Sequence, residues 1–283
     1  MDQRPGGLAA DGRVAIRVAD LGVKYNLRFT KKTTVRQSFS RFRPRSRTDN
    51  SFWALEHVDL RVVHGESLAV IGPNGAGKST LLQVLAGIIM PSAGLVEIDG
   101  HVSSLLSLGA GFDNELSGRD NIRLAAAFMG LNHRDIEERL PLIVEYADLG
   151  DFIDAPIRTY SAGMRARLGF AIATSVEPDI LLLDEVLATG DAAFRVKSKQ
   201  RVLELVRQAK AIVLVTHDMG WVTEYCNHAI LLEKGRIVAQ GEPADVVAVH
   251  EEHSERRRAE REAAGVMPVG PIAPGAARQA GRP

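Results

Sequence analysis

The sequence has 283 residues, of which 45% are hydrophobic and 25% are charged, enough to bury the core of one large domain or two small ones. Thirty-five basic residues balance 35 acidic ones, so the overall charge gives no reason to expect a nucleic-acid partner. A single cysteine, Cys226, excludes a disulfide framework and a cysteine metal cluster, and we expect a buried thiol in a reducing compartment. No signal peptide is evident, and no apolar run approaches the roughly 18 residues that span a bilayer.

The chain divides into segments of different character. Residues 1–12 are rich in Gly, Ala and Asp, and we expect them to be flexible. A folded domain is predicted over 13–250, and a charged helix with a disordered Pro/Gly/Ala-rich tail is predicted over 251–283. Residues 26–52 form a basic insert, in which Asp49 alone opposes Arg28, Lys31, Lys32, Arg36, Arg41, Arg43, Arg45 and Arg47.

Hydrophobic patterning within the folded domain predicts an α/β fold. Strands are predicted at 13–25, 54–62, 66–71, 180–184 and 211–216, and helices at 78–86, 191–209 and 218–226. Apolar strands that alternate with helices are typical of a parallel sheet covered on both faces. Residues from about 118 to 176 have helical periodicity and predict a helical subdomain inserted into the sheet's connectivity.

A glycine-rich loop follows the strand at 66–71 and opens the next helix. Its sequence from Gly72 to Thr80 matches the P-loop pattern, and the strand–loop–helix context makes a chance match improbable. Glycines let backbone N–H groups turn toward phosphate oxygens, and the helix dipole adds to the attraction. Lys78 would neutralise the outer phosphates, and the Ser79 hydroxyl would ligate Mg²⁺. The predicted nucleotide-binding residues are Gly72, Asn74, Gly75, Gly77, Lys78, Ser79 and Thr80.

Polar residues end two other apolar strands. The strand predicted at 180–184 ends in Asp184 and is followed by Glu185, and a buried strand would not end in two carboxylates unless they had a functional role. Asp184 is suited to hold the Mg²⁺ shell, and Glu185 to act as general base on the attacking water; helix capping after the strand is the alternative. His217 follows the strand at 211–216 and is predicted to sense the γ-phosphate, although a strand-end histidine is often only a satisfied polar group.

Two further motifs resemble those of the ABC ATPase family. Tyr160-Ser161-Ala162-Gly163-Met164 is similar to the family's signature loop, and the run from Glu185 to Asp191 is similar to the segment that carries its D-loop aspartate. The resemblance covers about residues 13–245. It implies a P-loop (RecA-like) core, an antiparallel β subdomain and a helical subdomain. It also implies that Ser161 and Gly163 act on ATP held by a second copy, that Asp191 is the D-loop aspartate, and that His217 is the switch histidine.

The position of Tyr25, at the end of the first strand, is where this family places an aromatic that stacks on adenine. An ordinary strand-end tyrosine is the alternative, and Phe52 and Trp53 are rival stacking residues.

One departure from the family pattern points to a narrower group within the family. Residues 101–120 contain no Q-loop glutamine, so its role stays unassigned. The stretch SLLSLGAGF, together with the signature loop, is similar to the ATPases of ABC-2 type exporters of O-antigens, teichoic acids and related polysaccharides. The basic insert and the short C-terminal segment are similar to the actinobacterial subunit that exports a lipid-linked galactan.

Apolar residues in the insert suggest a membrane contact. Val35, Phe39 and Phe42 would lie on one side of a helix over about 34–43 and basic residues on the other, which suits an anionic membrane surface; a solvated basic loop is the alternative.

The sequence therefore predicts an ATPase subunit that binds ATP and Mg²⁺ in a homodimer. It would act on the cytoplasmic face of the cell membrane with a two-copy transmembrane permease that exports a lipid-linked polysaccharide. The alternatives are an ABC transporter for another cargo, such as a lipid or a drug, a soluble ABC ATPase and a P-loop kinase.

Overall fold

A computed structural model describes residues 12–26, 51–104, 111–184 and 192–263 of the chain. Most of the basic insert, including the 34–43 segment, lies outside these ranges, as do the N-terminal residues and the predicted tail.

The described residues form nine strands and seven helices in α/β order. The strands are β1 (Val14–Asn26), β2 (Ser51–Val63), β3 (Ser67–Ile71), β4 (Ala93–Ile98), β5 (Val102–Ser104), β6 (Ile180–Leu183), β7 (Ala211–Val215), β8 (His228–Glu233) and β9 (Arg236–Gly241). The helices are α1 (Lys78–Leu85), α2 (Gly118–Phe128), α3 (His133–Ala147), α4 (Ala162–Ala173), α5 (Ala192–Gln208), α6 (Met219–Tyr225) and α7 (Pro243–Ala263). Two short 3-10 turns, Gly150–Asp154 and Ile157–Thr159, connect α3 to α4.

The strands assemble into two sheets. A three-stranded antiparallel sheet has the order β2-β1-β4, and a six-stranded sheet has the order β5-β6-β7-β3-β8-β9. All neighbours in the larger sheet are parallel except β8 and β9, which form an antiparallel hairpin at its edge. The predicted parallel pairing of β3, β6 and β7 is confirmed, and the antiparallel edge comes from two strands that were not predicted, which the two residues Lys234 and Gly235 suffice to join.

Alternate residues of the central strands feed two separate cores. In β3, Leu68 and Val70 pack toward the small sheet and α1, whereas Ala69 and Ile71 pack against α4, α5, α6 and α7. Every residue of β3, β6 and β7 is buried, which accounts for their uninterrupted apolar sequences. The large sheet is thus covered on both faces, as the sequence predicts.

Helices α2, α3 and α4 enclose a third core that includes Ile122, Leu140 and Leu168. Their first turns are capped by side chains: Ser117 accepts a hydrogen bond from Asp120 N, Asn132 from Asp135 N, and Ser161 from Met164 N. Within the described ranges, no helix combines the length and apolar character that crossing a membrane requires.

The positions of the strongly patterned elements are confirmed to within a few residues, but β4, β5, β8 and β9 were not predicted. In β4 the side chains are mostly exposed, so the strand lacks a buried apolar face. Cys226 is buried as expected, and burial raises the pKa of its thiol to about 12.

Three aromatic rings join the helical layer to the large sheet. Phe170 on α4 is 1% exposed and lies 6.0 Å from the ring of Tyr146 and 5.7 Å from the ring of Phe194, measured between centroids. Because Phe170 also packs with Leu181 and Leu183 of β6, it links α3, α4 and α5 to the sheet.

Replacement of Phe170 by alanine should lower the free energy of unfolding by about 3–5 kcal/mol, since it leaves a cavity between these layers. Leu142→Ala is the matched control: Leu142 is 66% exposed, and its loss should change stability by no more than about 0.5 kcal/mol. Urea unfolding followed by circular dichroism measures both values, and equal effects would contradict the packing described.

Candidate functional site

Three neighbouring strands of the large sheet bring the predicted polar residues to one edge. β6, β7 and β3 are adjacent and parallel, so their carboxyl ends lie at the same edge. Asp184 follows β6, His217 lies two residues after β7, and the glycine-rich loop follows β3. A crevice at the carboxyl ends of parallel strands is where α/β proteins bind ligands.

The loop takes its shape from glycines with positive φ. Gly72, Gly75 and Gly77 have φ values of 145°, 78° and 109°. A Cβ atom on Gly72 would lie 2.1 Å from the carbonyl oxygen of Leu232 on β8, and one on Gly77 would lie 2.6 Å from that of Ala54. Only glycine allows such close backbone approach, so the loop is held tightly over the sheet edge.

Lys78 lies across the loop that it follows. Its ammonium group donates hydrogen bonds to the carbonyl oxygens of Gly72, at 2.7 Å, and Pro73, at 3.1 Å. The residue is only 7% exposed, and Gly77 N-caps α1 in the left-handed conformation. A cation and a helix N-terminus therefore face the same small volume, which favours an anion.

A cavity of about 660 Å³ lies over the loop and the strand ends. This volume is within the range of about 300–1,000 Å³ for small-molecule sites. Its wall contains most of the predicted nucleotide-binding residues, but Gly72 lies outside it and serves as the junction with β8. The lining residues are Tyr25, Phe52, Trp53, Ala54, Asn74, Gly75, Ala76, Gly77, Lys78, Ser79, Thr80, Asp184, Val215, His217, Lys234 and Gly235.

Aromatic residues from β1 and β2 line the cavity. The rings of Tyr25 and Phe52 stack with their centroids 5.6 Å apart and their planes at 27°. Trp53 lies beside them, under the ammonium group of Lys24 at 5.5 Å from the ring centroid. Pairing of the two strands places Tyr25 opposite Phe52, so the structure brings the predicted residue and both of its rivals to one place.

The donors in this cavity fit Mg²⁺ bound together with a polyphosphate. The Ser79 hydroxyl and the Asp184 carboxylate both line the cavity and offer the oxygen ligands that Mg²⁺ prefers. Among the described residues, no group of three or more His, Cys, Asp or Glu side chains could hold a metal ion. A metal there would therefore need oxygens from its ligand and from water.

The predicted signature loop lies at the start of α4. Ser161 caps this helix, and its hydroxyl accepts a hydrogen bond from Met164 N at 3.2 Å, which leaves its own hydrogen for another acceptor. A Cβ atom on Gly163 would meet no atom closer than 3.8 Å. Neither Ser161 nor Gly163 is among the described residues that line the cavity.

Two predicted residues cannot be placed. Glu185 and Asp191 lie outside the described residues, although Asp184 directly precedes Glu185. Residues 105–110, in the stretch that narrows the family resemblance, also lie outside them.

The structure adds cavity residues that the sequence analysis missed. Lys234 and Gly235 form the turn between β8 and β9, and both line the cavity. A Lys-Gly pair between two apolar runs is a recognisable hairpin turn, but nothing in the sequence places that turn beside the glycine-rich loop.

Comparison with known proteins is consistent with this geometry. A family model described as ABC transporter matches residues 55–188. The chain is 43% identical over 201 residues to "O-antigen export system ATP-binding protein RfbB" of Klebsiella pneumoniae, which covers 71% of this chain and 82% of that protein.

Two longer relatives match a similar stretch. "O-antigen export system ATP-binding protein RfbB" of Myxococcus xanthus is 40% identical, with 78% of this chain and 53% of that protein covered. "Teichoic acids export ATP-binding protein TagH" of Lactococcus lactis is also 40% identical, with 84% of this chain and 51% of that protein covered. The chain thus spans about half the length of these two relatives.

Solved structures share the fold. The "Structure of ATP binding subunit of ABC transporter" superposes with a TM-score of 0.61 at 25% identity and covers 82% of this chain and 91% of that one. A dimeric ATP-binding cassette in a post-hydrolysis state, bound to ADP and Pi, superposes with a TM-score of 0.59 at 20% identity, with 81% and 98% of the two chains covered.

Replacement of Gly72 by alanine should lower the free energy of unfolding by at least about 3 kcal/mol, because strain at positive φ adds to overlap with the β8 backbone. Gly75→Ala is the control, since Gly75 also has positive φ but its added Cβ would meet no atom within 4 Å. We expect that change to cost only about 1 kcal/mol. Urea unfolding compares the two, and similar losses would refute the close contact with β8.

Proposed function

The chain belongs to the ABC transporter family, and we propose that it is an ATPase subunit that couples MgATP hydrolysis to export of a lipid-linked polysaccharide through a separate permease. The observation that carries this proposal is the single cavity that combines the glycine-rich loop, Asp184, His217 and an aromatic wall. The names of the relatives, which refer to O-antigen and teichoic acid export, support the cargo class.

Each part of the cavity suits one part of ATP. The backbone N–H groups of the loop and the Lys78 ammonium would bind the phosphates, and Thr80 lines the cavity within the first turn of α1. The stacked rings of Tyr25 and Phe52 offer an aromatic surface for adenine, with Trp53 at its side.

Ser79 and Asp184 are the residues that would hold Mg²⁺. When bound, this ion would neutralise charge that develops on the phosphates and help to align them for attack by water. The carboxylate of Asp184 would reach the ion from β6, and the Ser79 hydroxyl would reach it from α1. The ion would thereby connect the end of β6 with the first turn of α1.

Hydrolysis is assigned to residues at the ends of β6 and β7. We assign Glu185 as the general base that accepts a proton from the attacking water, because it directly follows Asp184. His217 lines the cavity two residues after β7 and would hydrogen-bond the γ-phosphate. Asp191, in the segment after Glu185, would act at the interface between two copies.

The position of the signature loop supports a homodimer. Ser161 is exposed, does not line its own chain's cavity, and presents a hydroxyl beside the N-terminus of α4. In the proposed dimer, Ser161 and Gly163 of one copy face the γ-phosphate bound by the other, so two ATP molecules lie between the chains. Loss of that phosphate removes a contact made by both copies, which would reopen the dimer.

The proposed setting is the cytoplasmic face of the cell membrane. Two copies of a transmembrane permease would carry the glycan, and the basic 34–43 segment would contact anionic lipid headgroups. The narrower resemblance to galactan exporters makes a lipid-linked galactan the first glycan to look for.

The purified chain should release phosphate from MgATP without any other acceptor. Glu185→Gln should lower the hydrolysis rate by about 10²–10⁴-fold while ATP still binds, because the change removes the base but keeps the side chain's size. Lys199→Gln, on the exposed face of α5, is the control and should hydrolyse ATP at the wild-type rate. Unchanged hydrolysis in the Glu185 variant would contradict its assignment as the base.

The same two variants test the cargo when they replace the wild-type protein in its host. Lipid-linked glycan should accumulate inside the cell with Glu185→Gln and not with Lys199→Gln, as measured by mass spectrometry of extracted lipids. If ATP hydrolysis is lost but the lipid-linked glycans do not change, the cargo is not a polysaccharide.

A further inference from the structure

The turn between β8 and β9 carries an unexpected residue. Lys234 and Gly235 have φ values of 48° and 80°, the pair of positive values that a two-residue type I′ turn requires. Asn, Asp and Gly are favoured at the first of these positions, whereas a residue such as lysine costs about 1–2 kcal/mol in the left-handed region. The turn therefore holds a long cationic side chain where a short one would be more stable.

Three contacts fix the turn against the glycine-rich loop and β2. Gly235 N donates to the carbonyl oxygen of Ala76, at 2.8 Å, and Glu56 N donates to the carbonyl oxygen of Gly235, at 2.9 Å. A Cβ atom on Gly235 would lie 2.7 Å from Ala54 O, so the turn also packs closely on β2. Lys234 consequently starts from a backbone position that is fixed relative to the loop.

Two residues of α7 form hydrogen bonds with the end of β8, directly before the turn. Glu233, immediately before the turn, accepts one hydrogen bond from Arg257 and shares another with His253 Nδ1 at 3.2 Å, and both of these partners lie on α7. Burial raises the pKa of Glu233, but these hydrogen bonds outweigh burial and hold the pKa below its ordinary value. The carboxylate thus stays charged and anchors the end of β8.

Lys234 differs from the nearby cation Arg236 in that it forms no ion pair with a described residue. Arg236, two residues later, forms an ion pair with Glu56 at 2.8 Å. Lys234 is exposed and lines the cavity, and within the described ranges no carboxylate lies within 4 Å of its ammonium group. Lys78, the cation of the glycine-rich loop, donates hydrogen bonds to two carbonyl oxygens of that loop. A second positive charge therefore faces the cavity from outside the glycine-rich loop.

We propose that Lys234 is a nucleotide-binding residue that donates a hydrogen bond to a phosphate oxygen of the nucleotide in this cavity. This inference rests on the proposed function, since it requires that the ligand is a nucleotide. The β8–β9 turn would thus place a cation beside the phosphates. The strain of the left-handed backbone at Lys234 is offset by the three contacts that fix the turn and by the attraction between the ammonium group and the phosphates.

The test compares Lys234→Asn with Lys234→Arg in the purified full-length chain. Asparagine suits the turn but removes the charge, so the dissociation constant of the Lys234→Asn variant for MgADP and for MgATP should be about tenfold higher than that of the wild type. Arginine keeps the charge and should stay within about threefold of the wild type. Adenosine, measured by displacement of a fluorescent nucleotide, should bind the wild type and the asparagine variant equally. Lys199→Gln controls for the loss of one positive charge elsewhere.

Other results would overturn the inference in distinguishable ways. If Lys234→Asn binds MgADP as the wild type does, or loses adenosine affinity to the same extent, Lys234 does not contact a phosphate. Thermal unfolding of each variant checks the turn, and a melting temperature for Lys234→Asn well below that of the wild type would assign the residue a structural role instead. If the wild-type chain binds no nucleotide, the proposed function fails together with this inference.

Discussion

The backbone of Gly72 lies against the backbone of Leu232, and this approach sets the direction in which the glycine-rich loop leaves β3. The loop then turns back far enough for Lys78 to donate hydrogen bonds to the carbonyl oxygens of Gly72 and Pro73. The same strand, β8, ends at the turn that donates a hydrogen bond to Ala76. The loop is thus held by β8 at its start and by the β8–β9 turn near its middle, and the shape of the cavity follows from both.

The two-layer cover of the large sheet explains how distant sequence segments form one site. The small sheet packs on one face and brings its aromatic residues to the cavity, while the parallel strands end in Asp184 and His217 at the adjoining edge. Helices α2, α3 and α4 form their own core, and Ser161 at the start of α4 does not line this cavity. In the proposed dimer, ATP would hold two copies together, because the cavity of one copy and Ser161 of the other would each contact it.

Local patterns account for what the sequence predicts well. Continuous apolar runs identify β3, β6 and β7, and the glycine spacing identifies the loop after β3, because both depend on neighbouring residues. The contact of Gly235 with Ala76 joins residues far apart in the chain, so no local pattern predicts that Lys234 lines the cavity. Likewise, the choice among Tyr25, Phe52 and Trp53 is not resolved by position, because strand pairing brings all three to one wall.

In the proposed dimer, the cavity becomes complete only when two copies enclose ATP. Sedimentation velocity of the Glu185→Gln chain, with and without MgATP, tests it most directly. We expect MgATP to convert the monomer into a dimer that holds two ATP molecules, and we expect MgADP to leave it monomeric because MgADP lacks the γ-phosphate. A chain that binds MgATP at full occupancy yet remains monomeric, or that dimerises equally with MgADP, would rule out a site shared between two copies.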